Sequence, residues 1–163
     1  MLIHGGAGGV GHMALQFARE AGAQVVATVS AKDVDFARSL GAEQVIDYKA
    51  QRFEDLVRDV DVVFDLIAGE TQERSWAVLK PGGIIVSTLQ QPDEAQARRH
   101  NARGTRYMVH PDAEQLTEIA RLIDAGKVRP TITAVMQLSE AAAAQRKLEQ
   151  DHPRGKVVLQ LAA

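Results

Sequence analysis

Three glycines near the start of the chain have the spacing of a phosphate-binding turn. Gly6, Gly8 and Gly11 form the pattern G-x-G-x-x-G between a short apolar segment and an amphipathic one. We expect Gly6 to allow the tight turn, Gly8 to let a pyrophosphate approach the backbone, and Gly11 to allow close helix–sheet packing. The amides of Gly9 and Val10 would then hold the phosphate charge at the positive end of the helix dipole. The pattern predicts a dinucleotide-binding loop; the alternative is a glycine-rich turn in a fold that binds no nucleotide.

The residues after the second predicted strand bear on which dinucleotide is bound. An NAD-binding unit usually has Asp or Glu at the end of this strand, where it holds the ribose hydroxyls. Here the strand is followed by Ser30 and Lys32, and Tyr48 ends the neighbouring strand. A hydroxyl and an ammonium suit a 2′-phosphate, so we predict that these three residues favour NADP (NADPH) over NAD. The alternative is a solvated loop in which Asp33 and Asp35 partly cancel the charge of Lys32.

The carboxyl ends of three later strands supply the remaining candidates, because ligands of open parallel sheets lie at this edge. Apolar side chains there are expected to cover a nicotinamide, and backbone groups to bind its carboxamide. The candidates are Leu66, Ile67, Ala68, Ser87, Leu89 and Val109. The alternative for each is an ordinary strand end. We expect His110 to be a loop residue and His4 a core residue, rather than catalytic groups.

Other residue types limit the chemistry available to the chain. It has no cysteine, which excludes a disulfide framework, a thiolate metal site and a thiol nucleophile. No serine stands in a G-x-S-x-G elbow, and no Gly-Lys-Ser/Thr follows the glycine loop. The histidines show no metal-ligand spacing with carboxylates. We therefore predict no catalytic residue and no metal site within the chain.

Length and composition favour one domain with a smaller addition. The chain has 163 residues, of which 45% are hydrophobic and 25% charged, with a formal net charge of −2. It is too apolar for a disordered chain, and its near-balanced charge argues against nucleic-acid binding. No apolar run approaches the roughly 18 residues of a membrane span, and no signal peptide is visible. We expect a cytoplasmic protein with a small-molecule substrate and no nucleic-acid or membrane partner.

Strand-like and helix-like segments alternate along most of the chain. The predicted strands are Leu2–His4, Gln24–Val29, Gln44–Asp47, Val60–Leu66, Gly83–Leu89 and Arg106–His110. The predicted helices are Val10–Ala21, Val34–Leu40, Phe53–Val57, Gln72–Leu79, Glu94–Asn101 and Ala113–Ala125. This alternation predicts an α/β Rossmann fold, in which a doubly wound, parallel six-stranded sheet has the order 3-2-1-4-5-6.

The end of the chain departs from this alternation. A strand at Thr131–Leu138, a helix at Ser139–Gln150 and a strand at Lys156–Leu161 follow a unit that is already complete. We therefore divide the chain into a dinucleotide-binding domain, residues 1–130, and a C-terminal strand-helix-strand extension, residues 131–163.

Several motifs, in order along the whole chain, resemble the medium-chain dehydrogenase/reductase superfamily. The branch they resemble contains the NADPH:quinone oxidoreductases and the related zinc-type alcohol dehydrogenase-like proteins. The glycine loop of this chain, Gly-Gly-Ala-Gly-Gly-Val-Gly, is more similar to that of the zinc-free reductases than to that of zinc alcohol dehydrogenases. The motifs are His4–Gly11, Ser39–Ala42, Val45–Tyr48, Asp61–Asp65, Leu79–Gly83 and Arg154–Leu159.

The resemblance implies hydride transfer from C4 of NADPH to a quinone or an activated alkene or carbonyl. It also implies that a catalytic domain precedes this cofactor-binding part, and that residues 131–163 belong to that domain or border it. The chain by itself would then bind NADPH without efficient turnover. Zinc ligands, where the family has them, would lie mostly in the preceding domain. Family members commonly dimerise through an edge strand, here Arg106–His110.

Two other functions stay open at this point. A nucleotide-binding or regulatory Rossmann module without chemistry of its own would bind the same cofactor. A Rossmann-like methyltransferase usually has an acid before the glycines and another at the end of the second strand. The pairs Ile3-His4 and Val29-Ser30 offer neither.

Overall fold

The computed structural model describes residues 1–161 and contains a six-stranded sheet whose neighbouring strands are all parallel. The strand order is β3-β2-β1-β4-β5-β6. The predicted α/β class, the doubly wound sheet and its order are therefore confirmed. The strands are β1 (Leu2–His4), β2 (Val26–Val29), β3 (Gln44–Asp47), β4 (Val60–Asp65), β5 (Leu79–Ser87) and β6 (Arg103–Arg106).

Five helices connect these strands, and a sixth follows β6. They are α1 (Gly11–Glu20), α2 (Val34–Ser39), α3 (Phe53–Leu56), α4 (Gly69–Ser75), α5 (Glu94–Arg99) and α6 (Ala113–Asp124). Short 3₁₀ turns at Ala31–Asp33 and Trp76–Val78 precede α2 and follow α4. Among residues 1–161, no helix has the length and apolarity needed to cross a bilayer.

The sheet separates two apolar cores, because neighbouring residues of a strand point to opposite faces. Leu2 packs with Trp76 and Ile85 on the face covered by α3, α4 and α5. Ile3 packs with Leu15 and Ala37 on the face covered by α1 and α2. All six of these side chains are at most 2% exposed. Strand β1 therefore contributes to both cores and lies at the centre of the sheet.

The last predicted strand of the sheet was placed wrongly. The structure has β6 at Arg103–Arg106, paired with Ile84–Ser87, and no strand at residues 107–110. Tyr107, Met108 and Val109 are strand formers by residue type, yet they are 46%, 63% and 85% exposed. Pairing instead occurs where Gly104 allows close contact with Trp76 and Pro92. Strand β5 also begins earlier than predicted, because Leu79 already pairs with Val60. The dimer contact at this edge stays a prediction.

The predicted C-terminal strand-helix-strand extension is confirmed as a structural unit. It contains β7 (Ile132–Gln137), a 3₁₀ turn at Leu138–Glu140, α7 (Ala141–Asp151) and β8 (Lys156–Gln160). Strands β7 and β8 pair in parallel to form a separate two-stranded sheet. The domain boundary near residue 130, and the assignment of the extension to another domain, stay predictions. Ala162 and Ala163 lie outside the described residues.

His4, at the end of β1, is a fully buried polar residue with two side-chain partners. Nδ1 lies 3.0 Å from Thr28 Oγ1, and Nε2 lies 2.9 Å from Ser75 Oγ. The Ser75 hydroxyl donates to the carbonyl of Thr71, so it accepts from Nε2, and Nδ1 of the neutral ring accepts from Thr28. Burial lowers the pKa of His4 from 6.5 to about 4.

Protonation of His4 is expected to destabilise the fold. Between its unfolded pKa of 6.5 and its folded pKa of about 4, the unfolded chain binds a proton that the folded chain does not. The free energy of unfolding should therefore fall as the pH falls through this window, by up to about 3 kcal/mol. Urea unfolding at about pH 7 and about pH 4.5 should show a smaller decrease for His4→Gln than for the wild type. Equal decreases would contradict this prediction.

Candidate dinucleotide site

In the turn from β1 into α1, Gly11 packs so closely against the backbone of Gly5 and Gly6 that a side chain at Gly11 is excluded. A Cβ at Gly11 would overlap the carbonyl oxygen of Gly5 and would lie 2.8 Å from the Cα of Gly6. The Gly8 amide donates to the same Gly5 carbonyl at 3.1 Å. Because this turn is so tight, α1 begins directly at the carboxyl end of β1.

The role expected of Gly6 belongs to its neighbour. Gly5 has a φ of +73°, the left-handed conformation that favours glycine, whereas Gly6 does not. Gly6 is instead packed against β2: a Cβ there would lie 3.1 Å from the Cβ of Ala27, and its amide donates to Thr28. Gly5 therefore makes the tight turn, and Gly6 allows close packing of the loop on the sheet.

The outer side of the loop has the features of an anion site. Among residues 1–161, the amides of Gly9 and Val10 donate to no protein acceptor, and they precede the N-terminus of the ten-residue helix α1. A Cβ at Gly8 would meet no atom nearer than 3.5 Å. Lys156 lies beside the loop, since a Cβ at Gly9 would lie 3.3 Å from its Nζ.

The extension holds Lys156 in this place through contacts with the loop and α1. The amide of Gly155 donates to the carbonyl of Ala7 at 3.0 Å. His12 is fully buried; its Nδ1 donates to the carbonyl of Gly8 at 2.9 Å, and its Nε2 accepts from the Thr131 amide at 3.2 Å. Burial lowers the pKa of His12, and the charge of Lys156 lowers it further. The ring is thus a neutral link between loop and extension.

A cavity of about 840 Å³ opens above the carboxyl ends of the strands. Most of the predicted site residues line it: Gly8, Gly9, Val10, Gly11, Ser30, Lys32, Tyr48, Leu66, Ile67 and Leu89. Four others do not. Gly6 is packed on the sheet, Ser87 is fully buried, Ala68 is half-buried, and Val109 is 85% exposed.

The three residues predicted to hold a 2′-phosphate all line the cavity, at the end formed where the neighbouring strands β2 and β3 stop. Ser30 Oγ donates to Asp33 Oδ2 at 2.6 Å. Lys32 Nζ donates to the carbonyl of Asp151 at 3.2 Å, a neutral partner. The side chain of Tyr48 is 57% exposed. This end therefore combines a lysine, a tyrosine and a hydroxyl that already has an acceptor.

The loops after β4 and β5 depend on one buried carboxylate. Asp65 Oδ1 accepts from the amides of Ile67 and Ala68 at 3.0 and 2.9 Å, and Oδ2 accepts from Gln72 Nε2 at 2.9 Å. Burial by itself would raise the pKa of Asp65, but these hydrogen bonds outweigh it and lower the pKa. Asp65 therefore stays ionised.

These bonds hold a strained residue in place. Ala68 has φ 66° and ψ −164°, a conformation found almost only in glycine, which costs about 1–3 kcal/mol in other residues. The strain falls between Ile67, which contacts Gly5 and lines the cavity, and the start of α4. The Asp65 carboxylate thus sets where Ile67 lies relative to the glycine loop.

Comparison with known proteins agrees with this arrangement. A family model described as a zinc-binding dehydrogenase matches residues 40–159. The chain belongs to the zinc-binding dehydrogenase family. The predicted membership of the medium-chain dehydrogenase/reductase superfamily, as its C-terminal cofactor-binding part, is thereby confirmed.

The similar proteins extend along almost all of the chain. It is 36% identical to a quinone oxidoreductase from Coxiella burnetii, with a TM-score of 0.92 over 99% of this chain and 52% of that one. It is 33% identical to the mitochondrial NAD(P)H oxidoreductase RTN4IP1 of Danio rerio, over 99% of this chain and 49% of the relative. It is 34% identical to the chloroplastic NADPH-dependent alkenal/one oxidoreductase of Arabidopsis thaliana, over 98% of this chain and 40% of the relative. The chain thus spans about half the length of the curated relatives it matches.

The family description raises the question of a zinc ion. Among residues 1–161, no group of three or more His, Asp and Glu side chains is arranged to hold a metal. The described residues therefore do not fit a zinc ion. They do fit a dinucleotide, because the amides of Gly9 and Val10 donate to no acceptor among residues 1–161 and the space at Gly8 is open.

Several cavity residues were missed by the sequence analysis. The most informative are Lys156 and its neighbour Gly155, together with Asp33, Phe53, Thr71 and Arg74. Lys156 lies in the Gly-Lys-Val-Val motif of the resemblance, which was the only signal available for it. Gly155 lies in the same motif, and the other four come from helices and turns whose placement above the sheet follows from the packing of distant segments.

Replacing Asp65 should destabilise the site loops and the fold. Asp65→Ala leaves the part-buried amides of Ile67 and Ala68 without an acceptor and removes one of the two acceptors of Gln72 Nε2, so we expect a loss of about 2–4 kcal/mol in the free energy of unfolding. Asp65→Asn keeps one acceptor oxygen and should cost less. Asp61→Ala is the matched control, because its carboxylate lies in the same strand but is 66% exposed; we expect a much smaller loss. Equal losses for both alanine variants in urea unfolding would contradict this role.

Proposed function

We propose that this chain binds NADPH and forms the cofactor-binding part of an oxidoreductase that transfers hydride to a quinone or an activated alkene or carbonyl. The observation that supports the cofactor most directly is the glycine loop itself. Among residues 1–161 the amides of Gly9 and Val10 donate to no protein acceptor, α1 begins directly after them, and Lys156 Nζ lies beside Gly9. The relatives that are named NAD(P)H, NADPH-dependent or quinone oxidoreductases support the reaction class.

The two ends of the ligand would meet different parts of the cavity. The 2′-phosphate would lie at Ser30, Lys32 and Tyr48, and the pyrophosphate at Gly9 and Lys156. The nicotinamide would then extend beyond the loop toward the ends of β4 and β5, where Leu66, Ile67 and Leu89 offer apolar surface. When bound, reduced nicotinamide supplies the hydride. The protein's own groups bind it, orient it and exclude water.

The substrate would be held partly by groups outside this chain. The relatives are about twice as long as this chain, and the sequence predicts no catalytic residue within it. We therefore propose that the chain by itself binds NADPH without efficient turnover, and that the extension borders a catalytic domain. The edge-strand homodimer and the cytoplasmic location remain part of this proposal.

Thermal unfolding with added ligands tests the cofactor. NADPH, NADH and S-adenosylmethionine would be compared in parallel, each over a range of concentrations. A ligand at about 100 times its dissociation constant should stabilise the chain by roughly 2.7 kcal/mol. We expect stabilisation at lower concentrations of NADPH than of NADH, and none by S-adenosylmethionine. Absence of any shift would overturn the proposal, and steady NADPH oxidation with a quinone by this chain would overturn its second part.

Two lysines should affect the nicotinamide cofactors differently. Lys156→Ala removes the positive charge beside the pyrophosphate. Both cofactors contain this pyrophosphate, so NADPH and NADH should each bind about tenfold more weakly. Lys32→Ala removes the positive charge beside the 2′-phosphate, so only NADPH should bind about tenfold more weakly. Lys80→Ala is the control, since Lys80 pairs with Asp61 away from the cavity. Titration calorimetry gives the dissociation constants; the same change for both cofactors in Lys32→Ala would contradict the 2′-phosphate assignment.

A further inference from the structure

A buried carboxylate lies beside the proposed 2′-phosphate site. The side chain of Asp33 is 7% exposed, and Asp33 lines the cavity together with Ser30 and Lys32. From the sequence alone, this carboxylate is a group that partly cancels the charge of Lys32. In the structure it has a partner from the extension, because Arg154 Nε lies 2.6 Å from Asp33 Oδ1.

Arg154 is held in this position by more than the ion pair. One of its terminal nitrogens donates to the carbonyl of Lys32, and its guanidinium lies 5.3 Å from the centre of the Phe36 ring. Three contacts thus orient the group toward Asp33. Arg154 itself does not line the cavity.

We propose that Arg154 determines the preference for NADPH over NADH, by pairing with Asp33 and so preventing this carboxylate from opposing the 2′-phosphate. The inference rests on the proposed function and extends it to a residue outside the cavity. Arg154 acts through Asp33, so it is a positioning residue rather than a phosphate ligand.

The charges around the site explain why the pair is selective. A 2′-phosphate is strongly anionic, and an unpaired carboxylate beside it would repel it in surroundings less polar than water. Without Arg154, Asp33 would also attract the ammonium of Lys32, the group that we assign to the phosphate. NADH has a hydroxyl at the same position, so neither effect weakens its binding appreciably. The expected result is a change in selectivity rather than a general loss of affinity.

A double-mutant cycle on the full chain tests this role. The variants are Arg154→Gln, Asp33→Asn and the combination of both, and the measurements are the dissociation constants of NADPH and NADH by calorimetry and the melting temperature. Arg146→Gln is the matched control, because Arg146 is an exposed arginine of α7 in the same extension.

Arg154→Gln should weaken NADPH about tenfold and NADH less than about twofold. Adding Asp33→Asn should bring the NADPH value back to within about threefold of the wild type, even if the melting temperature stays low. Equal weakening of both cofactors, or no recovery in the double variant, would overturn the inference while leaving the proposed function in place. A wild-type chain that binds neither cofactor would overturn the proposed function. Equal binding of both by the wild type would overturn the NADPH preference and this inference with it.

Discussion

The turn between β1 and α1 depends on the absence of a side chain at Gly11. Because Gly11 is packed against the Gly5 carbonyl, α1 begins at the end of the central strand and directs its first amides to the cavity edge. The same contact holds the loop close to the end of β1, where the Gly155 amide donates to the Ala7 carbonyl. A side chain at Gly11 would therefore displace the helix, the anion site and the docking of the extension together.

The extension is more than an addition to a finished sheet. It contacts the main unit in three regions: the Thr131 amide donates to His12 of α1, the Gly155 amide donates to Ala7 of the glycine loop, and Arg154 pairs with Asp33 in the turn after β2. In that turn Lys32 also donates to the carbonyl of Asp151. The strand-helix-strand segment thereby completes one wall of the cavity and brings Lys156 to the loop. A sheet without this segment would keep the free amides but lose the adjacent positive charge.

Local patterns in the sequence predict what depends on neighbouring residues, and fail where distant residues meet. The alternation of strands and helices, with glycines at the turns, is sufficient for the sheet order. It fails at β6, because the strand propensity of Tyr107–Val109 is overridden by the close packing that Gly104 permits. The spacing of glycines locates the loop, but the turn itself is made by Gly5, which the motif does not include. The Arg154–Asp33 pair joins residues 121 apart, and no local pattern indicates it.

Two buried polar residues on the adjacent strands β1 and β4 differ in charge and hold different parts of the cavity in place. His4 is neutral, since its partners are hydroxyls and its burial opposes a charge. Asp65 keeps its charge, since the amides of Ile67 and Ala68 and the side chain of Gln72 donate to it and outweigh its burial. The neutral residue fastens β1 to β2 and α4, and the charged residue holds the loops after β4 and β5. On the proposed function, adenosine-end selectivity then depends on the extension, whereas the nicotinamide end depends on Asp65. Changes in the extension can therefore alter which cofactor binds without changing the surface that the nicotinamide meets.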